Sequence, residues 1–236
     1  MSTVDVLAIA AHPDDVEITC AGLLIRMADL GYKTGVLDLT RGELGTRGSA
    51  EIRSREATVA AQVMGLTVRE NAELPDSRLV LDDVSRATVA ACIRKLRPAL
   101  VILPSDGQRH PDHNAANAIG YAGVFAAGLG KFPVEGPAHR PAQVLYALAE
   151  ERQEPSFYVD ITAQMERKLR AVAAYRSQLD EMPDTLDALG DDVYSRLLCT
   201  ARGFGSRCGV RFAERYCVRQ PMLVDDPIAQ LRLKPI

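Results

Sequence analysis

Residues 4–17, VDVLAIAAHPDDVE, place an apolar run directly before an imidazole and two adjacent carboxylates. The run over residues 4–10 is continuous rather than alternating, which is typical of a strand covered on both faces. Residues 17–30 then show helical spacing and end before Gly31, which can close a helix. We therefore predict a buried strand, a polar turn and a helix in this order.

The same alternation of strands and helices continues along the chain. Further strands are predicted at 33–40, 67–74, 98–104, 143–150 and 157–162, and further helices at 51–64, 83–96, 114–127 and 161–179. This order implies βαβ units, so we predict an α/β fold with a Rossmann-like, mostly parallel sheet flanked by helices. Residues 183–220 mix turn residues with short helical patterns and stay unassigned. Without a repeat or a low-complexity linker, residues 1–236 are predicted to form a single domain with an irregular C-terminal portion.

The composition of the chain argues against several classes of protein. Of its 236 residues 47% are apolar, and the net charge of −3 argues against binding to nucleic acid or anionic lipid. No apolar run approaches the roughly 18 residues of a membrane-spanning helix, and the N-terminus lacks the basic region of a signal peptide. The five cysteines form no CxxC pair, which favours a reduced compartment. We expect a cytoplasmic protein that acts on a small molecule.

Three polar loops follow predicted strands at their carboxyl ends. They are residues 12–15, 40–49 and 105–114. In open α/β sheets, ligands bind at this edge. A dinucleotide site would need GxGxxG in the first turn, but this turn is AHPDD, whose carboxylates would repel a pyrophosphate and attract a cation.

Two of these loops carry nearly the same four residues, HPDD at 12–15 and HPDH at 110–113. They contain three of the chain's four histidines. A His and an Asp three residues apart in a tight turn can face one point, so two facing turns offer nitrogen and oxygen ligands suited to zinc or a related ion. Three protein ligands leave a position for water, as in catalytic metal sites.

Simpler interpretations of the same residues remain open. Asp14 or Asp15 could cap the following helix, because aspartate favours that position. His110 or His113 alone could be a structural or surface histidine. The chain as a whole could be a Rossmann-like module that binds a nucleotide or metal without hydrolysis.

The motifs AHPDDVE, TRGELGT with Arg53 and Glu56 after it, and HPDHNAA resemble the LmbE/PIG-L superfamily of zinc-dependent N-deacetylases. The resemblance extends over most of residues 4–180. TRGELGTRG, RENAELPD and HPDHNAA are most similar to the bacillithiol branch, which deacetylates N-acetylglucosaminyl-malate. Other substrates in the superfamily remain alternatives, namely other N-acetylglucosamine conjugates, chitooligosaccharides and the amides of thiol conjugates. Relatives also suggest a homo-oligomer.

The resemblance implies a metal site and a general base. His12, Asp15 and His113 would bind Zn²⁺, and Fe²⁺ would tolerate the same ligands. The ion would lower the pKa of a bound water towards about 7 and polarise the acetyl carbonyl. Asp14, adjacent to a ligand but not itself one, would take the proton of this water and deliver it to the leaving amine.

The remaining site residues are also assigned by the resemblance. His110 would face the substrate carbonyl and, when protonated, stabilise the oxyanion, and Asp112 would orient its imidazole. Arg53 and Arg109 would bind sugar hydroxyls or the malate carboxylates, with a solvated surface arginine as the alternative for each. Tyr194 would be a mobile group that closes the site, with ordinary packing or surface exposure as its alternative.

Overall fold

The computed structural model describes residues 3–148, 153–179, 182, 192–221 and 223. The strands of this part are β1 (Val6–Ala10), β2 (Thr34–Thr40), β3 (Val68–Leu74), β4 (Leu100–Pro104), β5 (Gln143–Ala147), β6 (Phe157–Asp160) and β7 (Ala213–Cys217). The helices are α1 (Asp15–Thr19), α2 (Ala21–Asp29), α3 (Ala50–Met64), α4 (Asp83–Leu96), α5 (Pro111–Ala127), α6 (Met165–Val172) and α7 (Val193–Cys208).

The strands form one sheet in the order β3-β2-β1-β4-β5-β7-β6. The first five strands of the chain pair in parallel, whereas β7 is antiparallel to both β5 and β6. The predicted α/β class and the mostly parallel sheet flanked by helices are confirmed. The chain runs outward from β1 to β3 and then returns to place β4 on the other side of β1. The loops after β1 and β4 therefore diverge at the topological switch point, where such sheets bind ligands.

The continuous apolar run of β1 reflects helices on both faces of the sheet. Leu7 and Ile9 pack in a cluster with α4 and α5, and Val6 and Ala8 pack in a second cluster with α2 and α3. Because successive side chains of a strand point to opposite faces, both sets must be apolar. β1 is consequently fixed from both sides, and so is the start of the turn that follows it.

The prediction of one continuous helix at 17–30 is wrong. The helix is interrupted at Cys20, which separates α1 from α2. The carboxylate of Glu214 accepts hydrogen bonds from the N–H groups of Gly22 and Leu23, both at 2.8 Å. A residue about 190 positions away thus caps α2, and the helical period of the sequence could not show this interruption.

The predicted helix at 161–179 is also too long, since α6 ends at Val172. The chain then turns and buries Tyr175, whose hydroxyl donates to Glu17 Oε1 at 3.1 Å. Apolar spacing continued beyond the helix because the turn also packs against the core.

The unassigned stretch at 183–220 contains α7 and β7. β7 could not be predicted from hydrophobicity because its sequence is polar. Glu214 is buried and pairs with Lys168 at 2.6 Å, so a charged residue of this strand faces the interior. Residues 183–191 and the last two of the strand predicted at 143–150 lie outside the described residues. One domain over 1–236 therefore stays a prediction. No helix in the described part of the chain has the length and apolarity needed to cross a membrane.

Candidate metal centre and active site

The two HPD turns meet at the switch point of the sheet and bring three histidine rings together. The ring centres of His12 and His110 are 5.1 Å apart, those of His12 and His113 5.6 Å, and those of His110 and His113 4.9 Å. Their proximity follows from the pairing of β1 with β4, because adjacent parallel strands end at the same edge.

Asp15 lies between two of these imidazoles. Its Oδ1 is 3.1 Å from His113 Nε2, and its Oδ2 is 3.4 Å from His12 Nδ1. Oδ2 also accepts the backbone N–H of His12 at 2.9 Å, which closes the turn. Burial would raise the pKa of Asp15, but hydrogen bonds to His113 and His12 hold it well below the usual range. Asp15 is therefore an ionised carboxylate with two nitrogen neighbours.

Hydrogen bonds on the far side of each ring favour one tautomer. His113 Nδ1 lies 2.8 Å from Gln108 Oε1, an acceptor that places the proton on Nδ1. His12 Nε2 lies 3.1 Å from Asp76 Oδ1 and 3.3 Å from Asp112 Oδ2, so its proton belongs on Nε2. In the neutral rings, which would form if a metal ion replaced the protons shared with Asp15, the lone pairs of His113 Nε2 and His12 Nδ1 point to the same carboxylate. This is how outer partners orient metal-binding histidines.

Among the residues that the structure describes, two sets place ligand atoms within 4.8 Å of one another: His12, Asp15 and His113, and His12, His110 and Asp112. The second set is already engaged in hydrogen bonds to the backbone. Asp112 Oδ2 accepts the N–H of Ser77 at 2.8 Å, and His110 Nδ1 accepts the N–H of Asp112 at 3.2 Å. In the first set, Asp15 Oδ1 and His113 Nε2 have no hydrogen bond to the backbone of the described residues, so this set is better suited to a metal ion.

The charges around His12 also suit a bound cation. Burial would lower the pKa of His12, but the hydrogen bond and charge of Asp15 and the charges of Asp76 and Asp14 raise it to about 9. A site that keeps a proton on a buried imidazole favours positive charge, which a divalent ion would supply. Both the donor set and the electrostatics fit a metal.

Asp14 has a different environment from its neighbour. It occupies the N-cap position of α1 with φ 113°, and its side chain makes no capping hydrogen bond. Its Oδ2 instead lies 2.8 Å from Arg53 Nη2. Helix capping therefore does not explain this carboxylate, and a non-glycine residue in this region of backbone space stores about 1–3 kcal/mol of strain. Burial and the charge of Asp15 raise the pKa of Asp14, while Arg53 opposes the rise.

Arg53 is held by groups of the protein. It is only 4% exposed, and its guanidinium also donates to the carbonyl oxygens of Pro13 and Gly42. A Cβ on Gly42, whose φ is 63°, would collide with this guanidinium. Arg53 thus donates its hydrogen bonds to Asp14 and to the backbone. The prediction had assigned these donors to the substrate.

His110 and Asp112 interact differently from the prediction. His110 caps α5, and its Nδ1 accepts the backbone N–H of Asp112, so the ring is oriented by the backbone rather than by the predicted carboxylate. Burial and the neighbouring His113 and His12 lower the pKa of His110. The lowered pKa favours the neutral ring, and because Nδ1 accepts a hydrogen bond, the proton of that ring lies on Nε2. The protonated imidazole stays a prediction.

The two remaining predicted substrate residues lie in opposite environments. Arg109 is exposed in the loop that carries His110. Tyr194, in the first turn of α7, is 1% exposed and packs in the cluster that contains Ile161 and Met165. This packing favours the alternative of ordinary packing over a mobile closing group, because the ring would have to leave an apolar cluster to move.

Two acids that had no predicted role, Asp76 and Glu43, lie close to the histidines. Asp76 bonds His12 and also accepts the N–H of Leu44 at 2.8 Å, and Glu43 Oε1 accepts the N–H of Asp76 at 3.0 Å. These contacts connect the 40–49 loop to His12. One observation could have found Asp76: it is a carboxylate just beyond the third predicted strand, at the same edge of the sheet.

Comparisons with known proteins agree with this geometry. The family model described as PIG-L, GlcNAc-PI de-N-acetylase, matches residues 7–124. Diacetylchitobiose deacetylase of Thermococcus kodakarensis is 30% identical over 221 residues, with 89% of this chain and 80% of that protein covered. Probable N-acetyl-alpha-D-glucosaminyl L-malate deacetylase 2 of Bacillus cereus is 29% identical, with 75% and 84% covered. The crystal structure of the conserved protein TT1542 from Thermus thermophilus superposes with a TM-score of 0.87 at 37% identity, with 94% and 97% covered.

Proposed function

The chain belongs to the PIG-L family of deacetylases and is an N-deacetylase, and from this premise we propose that it hydrolyses the acetamide of an N-acetylglucosaminyl conjugate. The observation that carries the proposal is the separation of two adjacent carboxylates. Asp15 lies between two imidazoles, whereas Asp14 is turned to a buried arginine. This separation supports a metal-binding role for Asp15 and a proton-transfer role for Asp14.

We propose that His12, Asp15 and His113 hold the metal, with zinc as the first choice and Fe²⁺ as the alternative for the same ligands. When bound, the ion would supply Lewis acidity for a water molecule and for the acetyl carbonyl. Gln108 and Asp76 keep the two histidine tautomers in the required form.

Asp14 is the proposed general base. Its raised pKa, caused by burial and by Asp15, makes its carboxylate a stronger base than an exposed aspartate. It would take one proton from the attacking water and return it to the amine as the C–N bond breaks. Arg53 keeps the carboxylate oriented and limits the rise in its pKa.

His110 is the proposed donor to the carbonyl oxygen. Because its Nδ1 accepts a backbone N–H, its Nε2 proton is available to stabilise the negative charge that develops on that oxygen. The role assigned to Asp112 changes accordingly: its carboxylate supports His12, and its backbone N–H positions His110.

Within this class we propose N-acetyl-alpha-D-glucosaminyl L-malate, the bacillithiol precursor, as the substrate. The Bacillus cereus relative and the exposed Arg109, which can pair with a carboxylate, support it. Diacetylchitobiose is the second candidate, since the Thermococcus relative covers more of this chain. The two differ in charge, because only the malate conjugate carries carboxylates.

The test measures acetate release from both compounds and from N-acetylglucosaminyl-inositol. The proposal predicts the highest kcat/KM with the malate conjugate, and Arg109→Gln should raise its KM about tenfold while leaving that of diacetylchitobiose unchanged. Arg170→Gln, an exposed arginine on α6, is the matched control. A preference for diacetylchitobiose would replace the substrate. Absence of chelator-sensitive acetate release from all three compounds would overturn the proposal of an N-acetylglucosaminyl conjugate as substrate.

A further inference from the structure

A second ligand-sized groove lies beside α5, over the face of β5. Its volume is about 410 Å³, within the range of small-molecule sites, and its lining shares no residue with the two HPD turns. The walls include three aromatic rings, Tyr121 and Phe125 on α5 and Tyr146 on β5. Tyr121 and Phe125 are exposed, at 45% and 55%, although such rings are usually covered in a monomer.

Two arginines lie over these rings. The guanidinium carbon of Arg140 is 5.7 Å from the ring centre of Phe125, and that of Arg219 is 5.2 Å from Tyr121 and 4.3 Å from Tyr146. Tyr121 and Phe125 are four residues apart on α5, so the two rings lie about one helical turn from each other, each with a guanidinium over it. Stacking orients a guanidinium and leaves its N–H edges available for an anion.

The two arginines have few partners in the protein. Arg219 donates to Asn117 Oδ1 at 3.0 Å and has a looser contact of 3.5 Å with Asp106, an exposed carboxylate. Arg140 makes no hydrogen bond or ion pair within the described residues apart from its position over Phe125. Most of their donors are therefore open to a ligand, and the acidic neighbour is one that a stronger anion can displace.

Tyr146 supplies an independent indication of a ligand. The residue is 2% exposed, and its hydroxyl is buried with no hydrogen-bond partner in the described part of the chain. Burial raises the pKa of Tyr146 to about 12, so the hydroxyl keeps its proton and can donate it. A buried polar group without a partner is uncommon and destabilising, and a ligand in the groove would satisfy it.

We propose that this groove is a binding site for a small organic dianion with a flat apolar body. One anionic group pairs with Arg140 and the other with Arg219, the hydroxyl of Tyr146 donates to the second group, and the body packs on the aromatic rings. The site is separate from the deacetylation site and does not depend on the metal.

The first experiment titrates the full chain with isophthalate, a flat molecule with two carboxylates, by isothermal titration calorimetry. Saturable binding with one site per chain is expected, and neutral isophthalamide should not bind. Arg140→Gln and Arg219→Gln should each weaken the affinity about tenfold or more, the scale of a charged hydrogen bond. Arg86→Gln is the matched control, because Arg86 lies over Phe132, outside the groove.

Tyr146→Phe distinguishes a ligand donor from a merely structural tyrosine. Loss of the hydroxyl should weaken isophthalate binding about 3- to 10-fold and raise the melting temperature of the free protein, because an unsatisfied polar group disappears. The proposal is overturned if isophthalate gives no saturable binding up to about 10 mM. It is also overturned if the glutamine variants bind normally, or if Phe125→Glu dissociates an oligomer in sedimentation experiments, since a second copy would then cover the groove.

Discussion

The turn after β1 and the turn after β4 share the letters HPD but differ in structure. In the first turn, Asp14 adopts φ 113°. Its carboxylate does not cap the helix but pairs with Arg53. In the second, Pro111 begins a regular helix and His110 caps it. The corresponding acid, Asp112, turns back towards His12 and the N–H of Ser77.

The role of each acid therefore depends on its surroundings rather than on the local motif. A buried arginine beside the first turn makes the middle acid a candidate base. The second turn has no such cation among the contacts described, and its acid supports a histidine instead. The following changes test that asymmetry, beginning with the largest expected effect.

Loss of one proposed ligand should abolish catalysis. We expect His113→Ala to lose the bound metal and to lower kcat/KM about 10³-fold or more, because several kcal/mol of transition-state stabilisation disappear with the ion. Metal analysis and acetate release measure both effects. His139→Ala is the control, since this fourth histidine bonds the carbonyl of Pro98 away from the site, and its activity should be unchanged. Equal activities of the two variants would contradict the ligand set.

The middle acids of the two turns should differ in effect. Asp14→Asn is expected to lower kcat about 100-fold or more, the scale of a lost general base. Asp112→Asn should lower activity about tenfold, because it weakens support for a ligand rather than removing the base. Steady-state kinetics on both variants decide this, and equal losses would mean that the turns act alike.

The capping role of His110 can be separated from its proposed catalytic role by a substitution that keeps the helix cap. Asparagine is a good N-cap, so His110→Asn should keep α5 and the melting temperature while removing the Nε2 donor. We expect kcat to fall about 100-fold, the scale of a lost oxyanion donor, with metal content unchanged. A variant that keeps wild-type kcat would remove His110 from the reaction.

Arg53→Met tests whether the buried arginine acts through Asp14. We expect kcat to fall about tenfold with little change in KM, because the base loses its orientation. In combination with Asp14→Asn, the second change should add almost nothing, since both act on one group. A rise in KM with normal kcat would instead restore the role of substrate anchor.

Tyr194→Phe should have the smallest effect. We expect kcat and KM to stay within about twofold of wild type and stability to fall by about 1 kcal/mol or less, since the ring stays packed and only the hydroxyl is lost. Kinetics and denaturant unfolding measure the two quantities. A large fall in kcat at unchanged stability would mean that the tyrosine does reach the substrate.

Much of the fold could be predicted because β1 to β5 and their crossover helices follow simple periods. The continuous apolar letters of β1 reflect cover on both faces, and the end of α3 is marked by Gly65 at φ 74°. The prediction failed where residues distant in sequence determine the structure. Glu214 caps α2, and this residue is itself a buried charge on β7 that pairs with Lys168. Period and propensity contain no information on such long-range pairs.

The candidate site followed the same pattern. Pairing of β1 with β4 brought the two predicted turns together, because strand order alone determines which loops meet. The hydrogen-bond partners of the histidines could not be predicted from the sequence. Gln108 and Asp76 gain their roles from side-chain directions across the edge of the sheet, and Arg53 from a position behind Asp14 rather than in front of the substrate.

The central claim is that adjacent acids in one turn do different work, and metal content tests it most directly. Asp14→Asn and Asp15→Asn would be purified side by side with wild type and assayed for bound metal per chain by mass spectrometry. The account predicts that Asp14→Asn retains the wild-type metal-to-protein ratio and that Asp15→Asn loses most of it. Loss of metal in Asp14→Asn, or its retention in Asp15→Asn, would contradict the account.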